Sequence, residues 1–231
     1  KKIEKSAQNI EQSENPANHQ PIKYNSSIKG IVTFDGALKP PKKLKLPGAC
    51  AKQHDGDVYQ NDIQLNQGKL KNAIVYISTG HEKLDSPPIP TSEVEIDQRG
   101  CIYVPRVAVA RAGQPITFIN SDPIFHNVKA NAKWNRRFNQ GMPRKNQRMT
   151  KVFNKKEITV HAKCSVHPWM GAHIGVFDHH WFAKTDINGS YSLPALPAGK
   201  YTLTFWHEVF GEHQKEINLD DGQIASFNHQ F

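Results

Sequence analysis

The sequence predicts an all-β protein. From Gly30 onward it runs in short segments that alternate apolar and polar residues, turn residues separate those segments at short intervals, and no stretch sustains helical spacing. That rhythm is the signature of a sandwich or barrel of strands.

Residues 1–26 are rich in Gln, Asn, Glu, Ser and Lys, with only Ile3, Ala7, Ile10, Ala17, Ile22 and Tyr24 apolar. Such a segment buries too little to offset its ordering entropy and reads as a tail or tether, in which Ile3, Ala7 and Ile10 would suit a short frayed helix. The expected strands are Ile31 to Phe34, Ala73 to Ser78, Ile102 to Val104, Val107 to Ala110, Ile116 to Asn120, Ile158 to Ala162, Ile174 to Phe177, Ser190 to Leu193, Tyr201 to Trp206, His213 to Leu219 and Ile224 to Asn228. Asn188-Gly189 is the strongest hairpin signal, because a two-residue turn of that kind needs positive φ at both central positions. Asp35-Gly36, Ala198-Gly199 and Asp221-Gly222 punctuate in the same way. Residues 39–70 and 129–151 break the rhythm and are expected to be long loops. The second carries Lys129, Lys133, Arg136, Arg137, Arg144, Lys145, Arg148 and Lys151, which makes it a candidate docking surface.

At 231 residues the chain has room for one large or two small domains. It lacks the run of roughly 18 to 20 apolar residues that a membrane helix needs, and it opens on Lys1, as a processed protein would. A net charge of +9 favours acidic partners. Nucleic acid is discounted, since the aromatic residues do not interleave with a basic patch and no nucleic-acid-binding motif appears. Three cysteines are too few for a disulfide scaffold. With Cys164 assigned to a metal, Cys50 and Cys101 are free to pair in an oxidising compartment, the alternative being two unpaired thiols.

The chemistry concentrates in Cys164-Ser165-Val166-His167-Pro168-Trp169-Met170, which follows a strand and places a thiolate, an imidazole and a thioether on one tight loop. A second imidazole is available from His126, just past the Ile116 to Asn120 strand. Two imidazoles and a thiolate in a trigonal arrangement, with a weak axial thioether, make a blue-copper electron-transfer site. Soft sulfur suits Cu(I), imidazole suits both oxidation states, and a rigid loop keeps reorganisation small. Pro168 stiffens the chain beside His167, Trp169 is placed to shield the metal, and Asn127 is placed to hydrogen-bond across to the Cys164 loop. The alternatives are a zinc site on the same His, Cys and His, or core residues without a metal.

Residues 94–177 resemble the cupredoxins, in particular the amicyanin and pseudoazurin type, whose first histidine is followed by Asn and whose remaining ligands sit on a Cys-x-x-His-x-x-Met loop. The stretch Ala112-Gly113-Gln114-Pro115-Ile116-Thr117-Phe118-Ile119-Asn120 is similar to the strand that leads to the first histidine in that family. The resemblance implies a Greek-key barrel, one type 1 copper ion held by His126, Cys164, His167 and Met170, and one-electron transfer. One departure is Ala162, where the family carries an aromatic residue two positions before the cysteine.

The segment from Thr185 to Leu203 resembles the carboxypeptidase regulatory-like, or transthyretin-like, β-sandwich, and Gly30 to Gly36 with Asn72 to Ser78 read like its missing first half. The expected organisation is therefore a discontinuous small sandwich of residues 27–90 and 179–231 that accepts a cupredoxin domain, 91–178, as an insertion. The simpler alternative is a cupredoxin with a long N-terminal extension and a C-terminal appendage. A Cys50 to Cys101 disulfide would staple insert to host.

Asp178, His179 and His180, together with His207-Glu208, make a second metal site conceivable, and Cys50 with His54 would form half of another. No nucleophile with its base and no paired carboxylates appear, so an enzyme is not expected. The expected function is an extracytoplasmic, periplasmic electron shuttle in which the ring edge of His167 emerges through an apolar patch towards a redox protein partner with an acidic docking surface. A copper carrier or sensor, and a binding module in which copper is secondary, are the competing readings.

Overall fold

The computed structural model describes residues 24–231. The expected tail lies outside that range except for its last three residues, and these are not tail-like. Tyr24 packs against a hydrophobic cluster, while Ser26 is fully buried and donates its hydroxyl to the Asp220 carbonyl at 2.8 Å. Among the described residues the only helix is the single turn Gly48–Ala51, and the remainder is strand and connection. The all-β expectation holds.

Four sheets form two pairs. In the first pair, a five-stranded sheet runs Phe138–Met142, His126–Asn131, Glu157–Lys163, Gly171–Phe177 and Val107–Arg111, and a four-stranded sheet runs Gln147–Val152, Pro115–Asn120, Val94–Arg99 and Ile102–Val104. Their inner faces close over Ile96, Phe118, Val128, Val160 and Ile174, all fully buried. Each such side chain contributes about 1.5 to 3 kcal/mol by leaving water. The second pair sets Ser190–Ser192, Ser27–Thr33, Lys69–Leu70 and Leu65–Asn66 against Phe182–Lys184, Ile74–Thr79, Gly199–His207 and Gly211–Leu219. Its core draws on both ends of the described chain, with Ile28, Val32, Val75 and Ile77 from the front and Trp181, Leu203 and Phe205 from the back.

The period-two pattern explains these faces. In Ser27–Thr33, Ile28, Gly30 and Val32 all point inwards. Gly30 is required there because a Cβ would stand 2.1 Å from the Phe227 carbonyl oxygen. The two cores meet at a third cluster of Ile74, Tyr76, Val107 and Phe177, fastened by Arg106 to Glu208 at 2.5 Å and by Lys184 Nζ to the Val107 carbonyl at 2.9 Å.

Two expectations are corrected. Residues 129–151 are not one long loop, because they contain the end of His126–Asn131, the whole of Phe138–Met142 and most of Gln147–Val152. Phe138–Met142 and Gln147–Val152 present mostly polar side chains outwards and bury only Met142 and Met149, with Phe138 packed at the edge of the core, so their alternation is masked. Asn188-Gly189 does not close a two-residue hairpin either. Only Gly189 has positive φ, and the strands flanking the turn belong to different sheets. The turn is organised by Asp186, whose Oδ1 accepts the Asn188 and Ser190 N–H groups at 2.8 and 3.0 Å. Residues 39–70 are largely irregular, as expected.

Candidate metal centre

Asn120 ends its strand by donating its amide to the Ile124 and Met142 carbonyls at 2.9 and 2.8 Å, while its own Oδ1 accepts the Asp122 N–H at 3.0 Å. These bonds fold residues 121–125 into a compact turn that delivers His126 as the first residue of its strand. From the neighbouring strand Glu157–Lys163 the chain runs directly into Cys164. The following loop closes on itself, with the Met170 N–H donating to the His167 carbonyl at 2.9 Å and the Cys164 N–H to the Met170 carbonyl at 3.3 Å. The loop therefore draws the backbones of Cys164, His167 and Met170 together.

The donor atoms meet. His126 Nδ1 lies 3.0 Å from His167 Nδ1, and Cys164 Sγ lies 3.7 Å from His167 Nδ1. One ligand atom each from His126, Cys164 and His167 falls within 4.8 Å of the others. All four residues are buried, Met170 at 1% exposure. Two imidazole nitrogens and a thiol turned on one point in a dry pocket fit a copper ion, with Met170 on the same loop to supply the weak fourth ligand.

The surrounding hydrogen bonds fix this arrangement. Asn127 Oδ1 accepts the Ser165 N–H at 2.6 Å and the Cys164 thiol at 3.4 Å, the tie anticipated between the ligand segments. Trp169 donates its indole N–H to the Cys101 carbonyl at 2.9 Å, and its ring centre lies 5.2 Å from that of His167. Pro168 is exposed beside it. Ala162 is fully buried and pairs with Ala130 on one side and Ala172 on the other. The position where the resemblance expects an aromatic ring is thus a small buried side chain flanked by two others as small.

Two features went unseen in the sequence. His126 turns Nε2 onto Asp122 Oδ2 at 2.9 Å, and the same carboxylate accepts the Gly100 and Cys101 N–H groups at 2.7 Å each. The four-residue spacing of Asp122 and His126 was the available signal. The second is where the disulfide sits. Cys50 and Cys101 are bridged, with 5.7 Å between Cα atoms, and their sulfurs lie within 4.8 Å of a His167 ring nitrogen. The Gly48–Ala51 turn that carries Cys50 therefore lies over the ligand loop, and His167 is only 5% exposed. The expected apolar exit of the His167 ring edge is covered.

Burial works against the charged form of each titrating group, but their contacts differ. The thiol of Cys164 is pushed up by burial and pulled back further by its hydrogen bonds to His126 and Asn127, ending below its usual range. Burial would lower His126, yet its bonds to Asp122 and Cys164 hold it above the ordinary histidine value. His167 is lowered by burial and by its neighbour His126.

The remaining candidates scatter. His179 meets Asp178 and His81 rather than His207, with ligand atoms from the three within 4.8 Å. However, its Nδ1 already accepts the Trp181 N–H at 3.1 Å, and Lys156 lies 3.6 Å from Asp178. His180 contacts the Ser86 hydroxyl at 3.2 Å, and His207 stacks on Phe210. His54 bonds the Gly100 carbonyl at 2.7 Å, and Cys50 is committed to the disulfide.

No family model matches the chain, and no curated protein does. Among solved structures, a copper-containing nitrite reductase from Thermus scotoductus SA-01 matches 44% of this chain and 25% of its own length, at 20% identity and a TM-score of 0.34. A purple cupredoxin from Nitrosopumilus maritimus is covered over 98% of its length by 36% of this chain, at 21% identity and a TM-score of 0.32. A variant of amicyanin in its Cu(I) form is covered over 97% by 44% of this chain, at 21% identity and a TM-score of 0.33. Function rests instead on the side chains of the site.

Proposed function

We propose that the chain is a type 1 copper protein that passes single electrons between redox partners outside the cytoplasm. The observation that carries this reading is the convergence of His126, Cys164 and His167 within 4.8 Å, on a loop that also brings Met170. When bound, copper supplies a one-electron couple. The chain's own part is to hold the ligands still. Asn127 clamps the Cys164 loop, Asp122 fixes the His126 ring, and the dry surroundings exclude a water ligand. Zinc is disfavoured because a soft thioether suits copper, whereas zinc sites draw on thiolate, imidazole and carboxylate.

The Cys50 to Cys101 disulfide supports an oxidising, extracytoplasmic compartment. The surplus of 30 basic over 21 acidic residues supports a partner with an acidic face. No catalytic chemistry on a substrate is proposed. The division into a discontinuous sandwich, 27–90 with 179–231, and an inserted cupredoxin, 91–178, belongs to the same reading and draws on the two separate cores.

The test is titration of the purified protein with Cu(II) under visible spectroscopy. One equivalent should produce an intense band that is lost in Cys164→Ala. Absence of the band, or its survival in that variant, would overturn the proposal.

A further inference from the structure

We infer that electrons enter and leave the copper site through a cationic cleft on the Trp169 side of the ligand loop, where an acidic segment of the redox partner docks. The inference rests on the copper reading above and locates its exit.

The usual shortest way out, over the ring of His167, is closed. The ring is buried, and the Cys50 to Cys101 bridge with the Gly48–Ala51 turn lies against it. Trp169 is the next aromatic group outwards. Its ring centre is 5.2 Å from that of His167, it is half-buried, and together with Met170 it lines a cleft of about 630 Å³. The opposite wall comes from the irregular segment 42–45 and from Gln60 and Asn61, so the irregular stretch that covers one exit also builds the other.

The charge of the cleft selects the partner. Its lining holds Lys42, Lys43, Lys45, Arg106 and Lys163 and no carboxylate. Two of these cations are already answered, Lys43 by Asp57 at 2.7 Å and Arg106 by Glu208 at 2.5 Å. Lys42, Lys45 and Lys163 have no ion-pair partner among the described residues. His161 in the same wall is held neutral near pH 7, because burial and the neighbouring His173 push its pKa down to about 4. What remains is an apolar floor bearing Trp169 and a rim with three unanswered ammonium groups. That surface fits a carboxylate-rich loop, and its field draws anions towards the tryptophan.

The experiment uses full-length, copper-loaded protein and hexacyanoferrate(II) as a small anionic electron donor. In the step measured, one electron leaves the iron complex and one is gained by the protein, with no proton moved. Two triple variants carry the same change in net charge. Lys42→Glu, Lys45→Glu and Lys163→Glu reverse the cleft. Lys133→Glu, Arg136→Glu and Lys155→Glu reverse the far end of the barrel, beyond the end of a strand that carries His126 roughly 17 Å away at its other end. At about 0.1 M ionic strength the screening length is about 10 Å, so only nearby charges act strongly.

The cleft variant should reduce the protein about tenfold more slowly than the parent, within the range of electrostatic steering, while the far-end variant stays within about twofold. Both should keep the visible band. Equal slowing by the two variants, or no slowing by the cleft variant, overturns the cleft as the port. Loss of the band in the parent protein would instead sink the copper reading itself.

Discussion

Replacing Asp122 with Asn changes almost no volume but removes a buried charge on which three donors converge. The carboxylate accepts the Gly100 and Cys101 N–H groups at 2.7 Å and faces His126 Nε2 at 2.9 Å, at 2% exposure. The two backbone donors belong to a turn in which Gly100 and Cys101 have φ of 63° and 55°, so the turn needs an acceptor to hold it. An Asn amide keeps one oxygen and sets its NH2 group against an N–H, donor to donor. Hydrogen bonds to a charged group are worth about 1.5 to 3 kcal/mol each, so one lost and two weakened bonds should cost about 3 kcal/mol. Urea unfolding of the metal-free protein should show a lower midpoint at unchanged slope, and the melting temperature should fall by about 6 to 12 °C. Copper affinity should drop about 10- to 100-fold, since the carboxylate that orients His126 is gone. A stability change under about 0.5 kcal/mol, well below the worth of even one such bond, would refute the account of Asp122 as the anchor of this corner.

The disulfide and the buried histidines lead to further outcomes. Cys50→Ala with Cys101→Ala opens a closed loop with a sequence separation of 51, which on chain-entropy grounds costs about 4 kcal/mol. Differential scanning calorimetry reads that loss, and the visible band of the copper form should shift, because His167 loses the bridge packed against it. Acidification should weaken the fold between pH 6.5 and 4. Burial pushes His207 down to about 4, so the unfolded chain takes up a proton across that window while the folded protein does not. Stability is complete above pH 6.5 and is lost as pH falls towards 4, by roughly 3 kcal/mol for this group alone. Urea midpoints measured at pH 7, 5.5 and 4.5 should decline steadily, and His207→Gln should reduce the slope by about one proton. A slope unchanged by that substitution would remove His207 from the explanation.

Much of the molecule is written locally. The alternation in Ser27–Thr33 and from Tyr201 to Phe205 specifies strands because a half-buried sheet admits only a period of two, while Ile74–Thr79 reads as a short apolar run buried on both faces. Cys164, His167 and Met170 are readable as one unit because a tight loop keeps residues that are close in sequence close in space. The Phe138–Met142 and Gln147–Val152 strands were hidden, since their outer faces are mostly polar and each buries a single methionine.

Long-range relations were decided only by the tertiary structure. His126 meets His167 across 41 residues, and Asp122 reaches Gly100 across 22. The position of the disulfide against His167 depends on where an irregular segment of low periodicity comes to rest, and nothing local encodes that. The sequence alone thus indicated the Cys164 to Met170 part of the candidate site and the strand character, because both reside in short windows. Which side of the ligand loop stays open was settled by packing between distant segments, where the Gly48–Ala51 turn covers one exit and Lys42 and Lys45 frame the other.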